Sequence, residues 1–458
     1  MVVGDVTTAV DVLVLGAGPA GYVAAIRAAQ LGHAVTLVEA ERAGGTCLHK
    51  GCIPLKALLS ASERYQQTSF NDLATFGIHA ERVTFDWPTM QAWKQGVVNR
   101  LADGVRRLIS GRRIELVKGT GWFINNKEVR VEGEYGSHRF KFSHCIIATG
   151  AEPTACADLP YDGEQILSPE QALSLPTLPA NLVISGDDYV ALELATVFAR
   201  LGVKVKLCAP GEQFLPGVDP VAFRLVQAGL RKLGIQLEYK QTPTAILERP
   251  LLLSHGVHPC TAGLHLADAN VQTNEQGGIV VNTMLQSSQP QIYAIGDCAT
   301  PPGAQPSLAS LAMKQGKIAA EVIAGQRVQF SPLVVPHIVH TTPELATAGL
   351  TAEQAEHTGY RTKVGRFPLA ANGRALTLGC DAGIALLVAD ATNDVLLGAT
   401  LVGPRAGDMI GQLSLAIEMG ATLTDLSEII FAHPNLSETI QESADNALGY
   451  AIHLLPKI

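Results

Sequence analysis

Four apolar residues, Val12 to Leu15, lead into Gly16-Ala17-Gly18-Pro19-Ala20-Gly21, and a helical alternation of apolar and polar positions then runs to Gln30. Leu31-Gly32 ends that pattern, and a second apolar run, Ala34 to Val38, closes on Glu39. The periodicity predicts strand, tight turn, helix, strand and acid in that order. In such a unit Gly16 makes the turn, Gly18 lets backbone approach a pyrophosphate, and Gly21 allows close helix–strand packing. Glu39, 23 residues beyond Gly16, stands where a carboxylate accepts from a ribose hydroxyl. A glycine-rich turn alone is weak evidence, but with this context and spacing dinucleotide binding is the expectation.

Behind Gly44-Gly45-Thr46 come two cysteines, Cys47 and Cys52, followed by an apolar run with helical spacing. Residues 60–115 predict helices joined by an irregular connection, and residues 111–142 predict strands and turns, one at Gly119-Thr120-Gly121. Residues 145–150 form a buried strand ending in a tight turn at Thr149-Gly150, and a proline-bearing crossover occupies residues 151–179.

A second copy of the nucleotide pattern begins at Leu182. Aligned without gaps, Gly186 falls on Gly16, Leu201-Gly202 on Leu31-Gly32, and Val205 on Val35. One repeated βαβ unit implies two dinucleotide-type sites. The second copy is degenerate: Asp187-Asp188 stand for Ala17-Gly18, Ala191 for Gly21, and Ala209 for Glu39. Carboxylates at a helix start repel phosphate and can cap the same N–H groups. Residues 238–250, between two apparent strands, are short. Residues 292–297 then give a strand closing on Asp297, residues 308–323 an amphipathic helix, and from Val334 apolar and polar segments alternate.

Composition narrows the function classes. A chain of 458 residues suggests about three domains, and 47% hydrophobic with 17% charged residues fits a well-cored globular protein. A formal charge of −8 without a basic stripe argues against nucleic acid and anionic membrane as partners. No apolar run reaches membrane-spanning length, and an acid stands at Asp5 where a leader carries bases. Eight cysteines are too few for a disulfide scaffold. The expectation is a cytoplasmic protein with one redox pair.

Cys47 and Cys52 are too far apart for a CxxC motif, and no second pair completes a zinc site, so no metal is expected. Where the chain turns into a helix, residues five apart come to one side. A disulfide there would be accessible and cycling, with the helix start favouring a thiolate. Two plain buried thiols are the alternative on spacing alone. Late in the chain stands Phe431-Ala432-His433-Pro434-Asn435-Leu436-Ser437-Glu438, in which Glu438 can hold His433 in one tautomer for proton transfer.

The stretch from Gly44 to Leu58 resembles the redox-active segment of the class I pyridine nucleotide–disulfide oxidoreductases, most closely the dihydrolipoamide dehydrogenase branch. The resemblance extends in order through the nucleotide units to the His433–Glu438 element. It implies α/β architecture: two doubly wound Rossmann-like nucleotide-binding units, of FAD and NAD type, and a C-terminal α+β dimerisation domain. The FAD domain is expected at residues 1–150 and 280–330, a shortened NAD-type domain at 151–279, and the interface domain at 331–458. Matched residue by residue, Cys52 is the flavin-facing sulfur and Cys47 the interchange sulfur, with Lys56 near the flavin and Glu193 its partner. Tyr189 falls on a gating tyrosine. FAD would be held by Gly16, Gly18, Gly21, Glu39, Gly45, Thr46, Lys56, Gly121, Thr149, Gly150 and Asp297. The degenerate NAD-type site comprises Gly186, Asp188, Tyr189 and Ala209.

The resemblance therefore implies an FAD enzyme that exchanges electrons with a dithiol or disulfide, carried on a lipoyl-bearing protein in the branch it most resembles. It also implies a homodimer in which His433 crosses between subunits. Nicotinamide use is expected to be weak or absent, leaving room for another electron partner such as a ferredoxin or quinone. A silent flavoprotein subunit of a larger assembly is the rival from another class; loss of the cysteines or His433 would mark it, and neither is lost. The C-terminal tail offers no second cysteine pair.

Overall fold

The structure, a computed structural model, describes residues 7–69, 71–134, 136–303 and 307–455. Residues 1–6 and 456–458, on which the leader and tail expectations partly rest, lie outside these.

Strand Thr7–Leu15 is the centre of the first sheet. It runs parallel to Val35–Glu39 on one side and to Gly136–Ile147 on the other. Glu115–Lys118 extends the first edge in parallel, and Ile292–Ala294 returns from far along the chain to pair with the end of Gly136–Ile147. Both faces of this sheet are covered, which is why Val12–Leu15 is a continuous apolar run with almost no exposure. Helices Pro19–Gln30 and Ala309–Ile323 pack against each other beside it. From the other half of Gly136–Ile147 an antiparallel meander, Glu128–Gly133 and Thr120–Asn125, leads away. The turn expected at residues 119–121 is different in fact: Gly121 lies inside strand Thr120–Asn125, opposite Val131. The alternation of Gly121 and Phe123 toward the interior, masked by the two glycines, is what makes it a strand.

The second sheet is entirely parallel, ordered Gln236–Glu238, Lys204–Cys208, Asn181–Ser185, Leu251–Leu253, Ile166–Leu167. Residues 238–250 contain only a 3₁₀ turn at Pro243–Ala245, so the segment is short in structure as in sequence. The crossover at 151–179 is more ordered than a linker. It contributes the edge strand Ile166–Leu167, and Ala151–Pro153 pairs with Val257–Pro259. The third sheet is antiparallel, with His337–Val339, Leu345–Gly349, Leu396–Val402, Ile384–Asp390 and Thr362–Pro368 in spatial order. Helices Ala406–Glu418 and Glu438–Leu448 cover it.

Helix Cys52–Ser69 ties these parts together. It starts beside the first sheet, yet Leu55, Leu58 and Leu59 belong to the core of the second, against helix Tyr189–Arg200. Arg200, almost fully buried, donates to Leu59 O and to Thr342 Oγ1, so one guanidinium joins this helix to the segment entering the third sheet. No helix among the described residues is long and apolar enough to cross a membrane.

Candidate active site

The first glycine turn is bare. Helix Pro19–Gln30 begins after Gly18 with no side-chain cap, so no side chain occupies the N–H groups of its first turn. A Cβ at Gly21 would stand 1.8 Å from Gly16 O, which fixes glycine there by packing. Glu39 receives Ala17 N–H at 2.7 Å and Glu41 N–H at 2.8 Å, leaving further carboxylate lone pairs for a ribose. An uncapped helix start, a glycine cradle and a carboxylate at the next strand end are the donor and acceptor set a dinucleotide needs. FAD fits the residues present.

The cysteine segment is pressed onto this cradle. Gly45 has φ +62°, and a Cβ on it would lie 2.5 Å from Gly18 Cα, so the two glycine turns touch backbone to backbone. Gly45-Thr46-Cys47 opens the short helix Gly45–His49, and Cys52 is the first residue of Cys52–Ser69. The pair meets across the break between two helices, where the chain turns into Cys52–Ser69. His49 Nε2–H donates to Ala43 O at 2.9 Å, and Lys50 pairs with Glu41 at 2.8 Å, which pins the loop.

Both cysteines are half-buried and lie close together, within reach of a thiol–thiolate hydrogen bond. That bond, with the Lys56 charge, brings the Cys52 thiol down to about 7 against the opposing effect of burial. The same bond and burial push Cys47 up. The reduced pair is therefore divided into a thiolate at Cys52 and a proton-bearing thiol at Cys47.

Lys56, one turn after Cys52, places Nζ 2.5 Å from Glu193 Oε2 and 5.7 Å from the centre of the Tyr189 ring. Glu193 is fully buried, and its other oxygen accepts from the backbone N–H of His340 and faces His340 Nδ1, each at 3.0 Å. Burial raises the Glu193 carboxyl, but the His340 bonds and Lys56 outweigh it and hold it below its ordinary value. His340 is a site residue the sequence reasoning missed. Its signal was slight: a polar residue three before the Pro343 segment, at the end of an apolar strand. Asp297, in the turn after Ile292–Ala294, acts electrostatically on both Cys47 and Tyr189, so it joins the cluster. Gly296 N–H is held at 2.6 Å by the buried Gln315 side chain, which fixes that turn. Thr149 donates to Cys260 O and Gly150 O accepts from Cys260 N–H, so this turn is secured by its neighbour strand.

The second glycine turn is occupied by the protein itself. Asp188 is the N-cap of helix Tyr189–Arg200 and receives Ala191 N–H at 2.8 Å. Ser254 Oγ donates to the same carboxylate at 2.8 Å and 3.0 Å, and His255 faces Ser185 Oγ at 3.1 Å. Burial raises the Asp188 carboxyl. Gly186 is retained, while Ala209 is fully buried at the following strand end and offers no acceptor. This turn therefore presents neither the uncapped helix start nor the strand-end carboxylate of the first.

His433 sits apart, on the surface of the third unit, with Nδ1 2.8 Å from Glu438 Oε1. Glu438 is itself fixed by Asn435 N–H at 2.6 Å. The ring is 80% exposed, leaving Nε2 free to face outward. Among the described residues no hydrogen bond or ion pair joins it to the cysteines.

Residues 10–316 match the family model for pyridine nucleotide-disulphide oxidoreductases, and residues 335–444 match that family's dimerisation domain. Dihydrolipoyl dehydrogenase 2 of Haloarcula marismortui is 40% identical over 99% of this chain and 100% of its own length. The dihydrolipoyl dehydrogenases of Bacillus subtilis and Thermus scotoductus are 38% and 41% identical, covering 99% and 97% of this chain and 100% and 99% of theirs. Among solved structures, the HOCl-induced flavoprotein disulfide reductase RclA of Escherichia coli superposes with a TM-score of 0.84 at 27% identity, over 95% of this chain and 99% of that one.

Proposed function

The chain belongs to the pyridine nucleotide-disulphide oxidoreductase family as a flavoprotein disulfide oxidoreductase, and from that premise we propose that it oxidises a dihydrolipoyl-type dithiol through Cys47 and Cys52. The observation that carries this is the placement of Cys47 and Cys52 across the break between two helices, in a segment whose Gly45 packs backbone to backbone on Gly18 of the bare glycine cradle. FAD is held by Gly16, Gly18, Gly21 and Glu39, with Gly45, Thr46, Lys56, Gly121, Thr149, Gly150 and Asp297 completing the site. The FAD unit comprises residues 1–150 and 280–330, the shortened second unit 151–279, and the interface unit 331–458. The enzyme works as a homodimer in the cytoplasm.

A substrate thiolate attacks Cys47 Sγ of the oxidised pair. The Cys47–Cys52 bond breaks, and its electron pair leaves on Cys52, where Lys56 and the helix start stabilise the charge. The second substrate thiolate then attacks the substrate sulfur of the mixed disulfide and releases Cys47, which takes up a proton. His433 of the second subunit, oriented by Glu438, accepts the substrate proton and returns one to Cys47. Bound FAD supplies the two-electron acceptor for Cys52. Glu193 keeps Lys56 in place between these groups.

Nicotinamide is not the efficient partner for the other half-reaction. Asp188 fills the helix start that a pyrophosphate needs, and Ala209 supplies no ribose acceptor. An electron partner other than nicotinamide, such as a ferredoxin or quinone, takes that role. Replacing Cys47 with Ser tests the redox centre: the variant should retain FAD and show a long-wavelength thiolate–flavin band without reductant, and a flavin-loaded variant lacking the band at any pH would refute the assignment.

A further inference from the structure

The contacts around Glu193 continue past it. His340 Nδ1 lies 3.0 Å from Glu193 Oε1, while Nε2 on the opposite edge lies 3.6 Å from Glu344 Oε1, an ion-pair distance. Glu344 Oε2 in turn receives Gly407 N–H at 2.9 Å, at the start of helix Ala406–Glu418. One imidazole thus stands between two carboxylates, one fully buried and one largely so.

The charges do not balance without a further proton. Lys56 offsets one carboxylate, and the second is offset only if the His340–Glu344 pair carries a proton. Because Glu193 is ionised and receives Lys56, Nδ1 must present its hydrogen to Oε1. Nε2 then faces Glu344 at ion-pair distance, either as a charged ring beside a carboxylate or as a neutral ring beside a protonated carboxyl. Both arrangements leave the pair one proton richer than a neutral ring beside a carboxylate. Burial raises the Glu344 carboxyl, which favours retention of that proton. The other charged groups acting here are Glu63 of helix Cys52–Ser69 and Asp408 of helix Ala406–Glu418, both negative. Arg200, of helix Tyr189–Arg200, acts on Glu63.

We propose that His340 and Glu344 form a proton-holding pair that positions Glu193 and Lys56 and so makes the Cys52 thiolate dependent on the protonation of a second site. His340 acts through Glu193 and Lys56 and is a positioning residue, since it touches neither sulfur. The physical sense is fixed. Loss of the pair's proton leaves Glu193 less compensated, Lys56 is drawn more fully into neutralising it, and Cys52 retains less stabilisation. The inference rests on the proposed redox role of Cys52.

The test uses flavin-loaded protein in the Cys47→Ser background, with the long-wavelength band and the 240-nm thiolate absorbance both followed from pH 5 to 10. The parent should show two inflections. Adding His340→Gln keeps an amide able to donate to Glu193 but removes the ionisable ring. With only the Glu344 carboxyl left to titrate, it should move the second inflection to lower pH and move the Cys52 midpoint up by about one unit, the scale expected when a nearby compensating charge is lost. Glu344→Gln acts from the other side and should move the second inflection to lower pH. A curve for either variant that superimposes on the parent overturns the proposal. Absence of the band in the parent, with FAD bound and the 240-nm thiolate present, would instead refute the proposed redox centre, so the two failures are distinguishable.

Discussion

Asp188→Gly is the substitution that speaks most directly to the second nucleotide unit. The carboxylate it removes accepts Ala191 N–H and Ser254 Oγ–H at the position a bound pyrophosphate would require. A charge about 4 Å from a phosphate at an effective dielectric near 20 is opposed by about 4 kcal/mol. That corresponds to roughly three decades of affinity if nothing relaxes. The substitution also has a stability cost, about 1 kcal/mol for the lost cap and about 1–3 kcal/mol if the Ser254 hydroxyl finds no new partner. A domain of ordinary stability, roughly 5–15 kcal/mol, survives this. Stopped-flow mixing of the flavin-loaded protein with NADH is the assay. The parent should reduce slowly and without saturation below millimolar NADH. Asp188→Gly should improve the apparent affinity at least tenfold, and Asp188→Gly with Ala209→Glu should improve it further. Because burial raises the Asp188 carboxyl, its protonation relieves the repulsion, so reduction of the parent should improve as pH falls and that dependence should vanish in Asp188→Gly. Rapid reduction of the parent saturating at micromolar NADH would refute the reasoning.

Three further outcomes follow from the site. His433→Gln should lose about 100- to 10,000-fold in dithiol turnover while keeping FAD and the dimer, and activity within about tenfold of the parent would return His433 to a structural role. Gly45→Val should lose FAD on gel filtration, since its Cβ would meet Gly18 Cα at 2.5 Å and its φ is +62°; full flavin retention would contradict the packing account. Dithiol turnover should rise with pH through the range near 7, because the Cys52 thiol titrates there and only its thiolate form is stabilised by Lys56; a flat profile from pH 6 to 8 would count against this.

The parts of the fold carried by local pattern were legible in sequence. The helix expected to run to Gln30 is Pro19–Gln30, and the helix expected from residue 308 is Ala309–Ile323. Both have glycine punctuation and one buried face, so periodicity alone marks them. The strand Ile166–Leu167 was not legible, because two residues carry no period and its membership depends on pairing with Leu251–Leu253. Gly119-Thr120-Gly121 reads as a turn because glycine weakens a strand signal, and only the ladder with Val131 reveals the strand. In the site, the Lys56–Glu193 pair came from resemblance and the Asp188 cap from the chemistry of a helix start. His340 escaped both. Its contact with Glu193 spans 147 residues and is made by the folding of the third unit against the second, which no local pattern records.

Anaerobic titration of the flavin-loaded protein with dihydrolipoamide tests the central claim most directly. The account predicts that one equivalent of dithiol per flavin generates two new titratable thiols and the long-wavelength band while the flavin absorbance is largely retained. Bleaching of the flavin with no band and no gain of thiols, or no reaction with the dithiol at all, would contradict it.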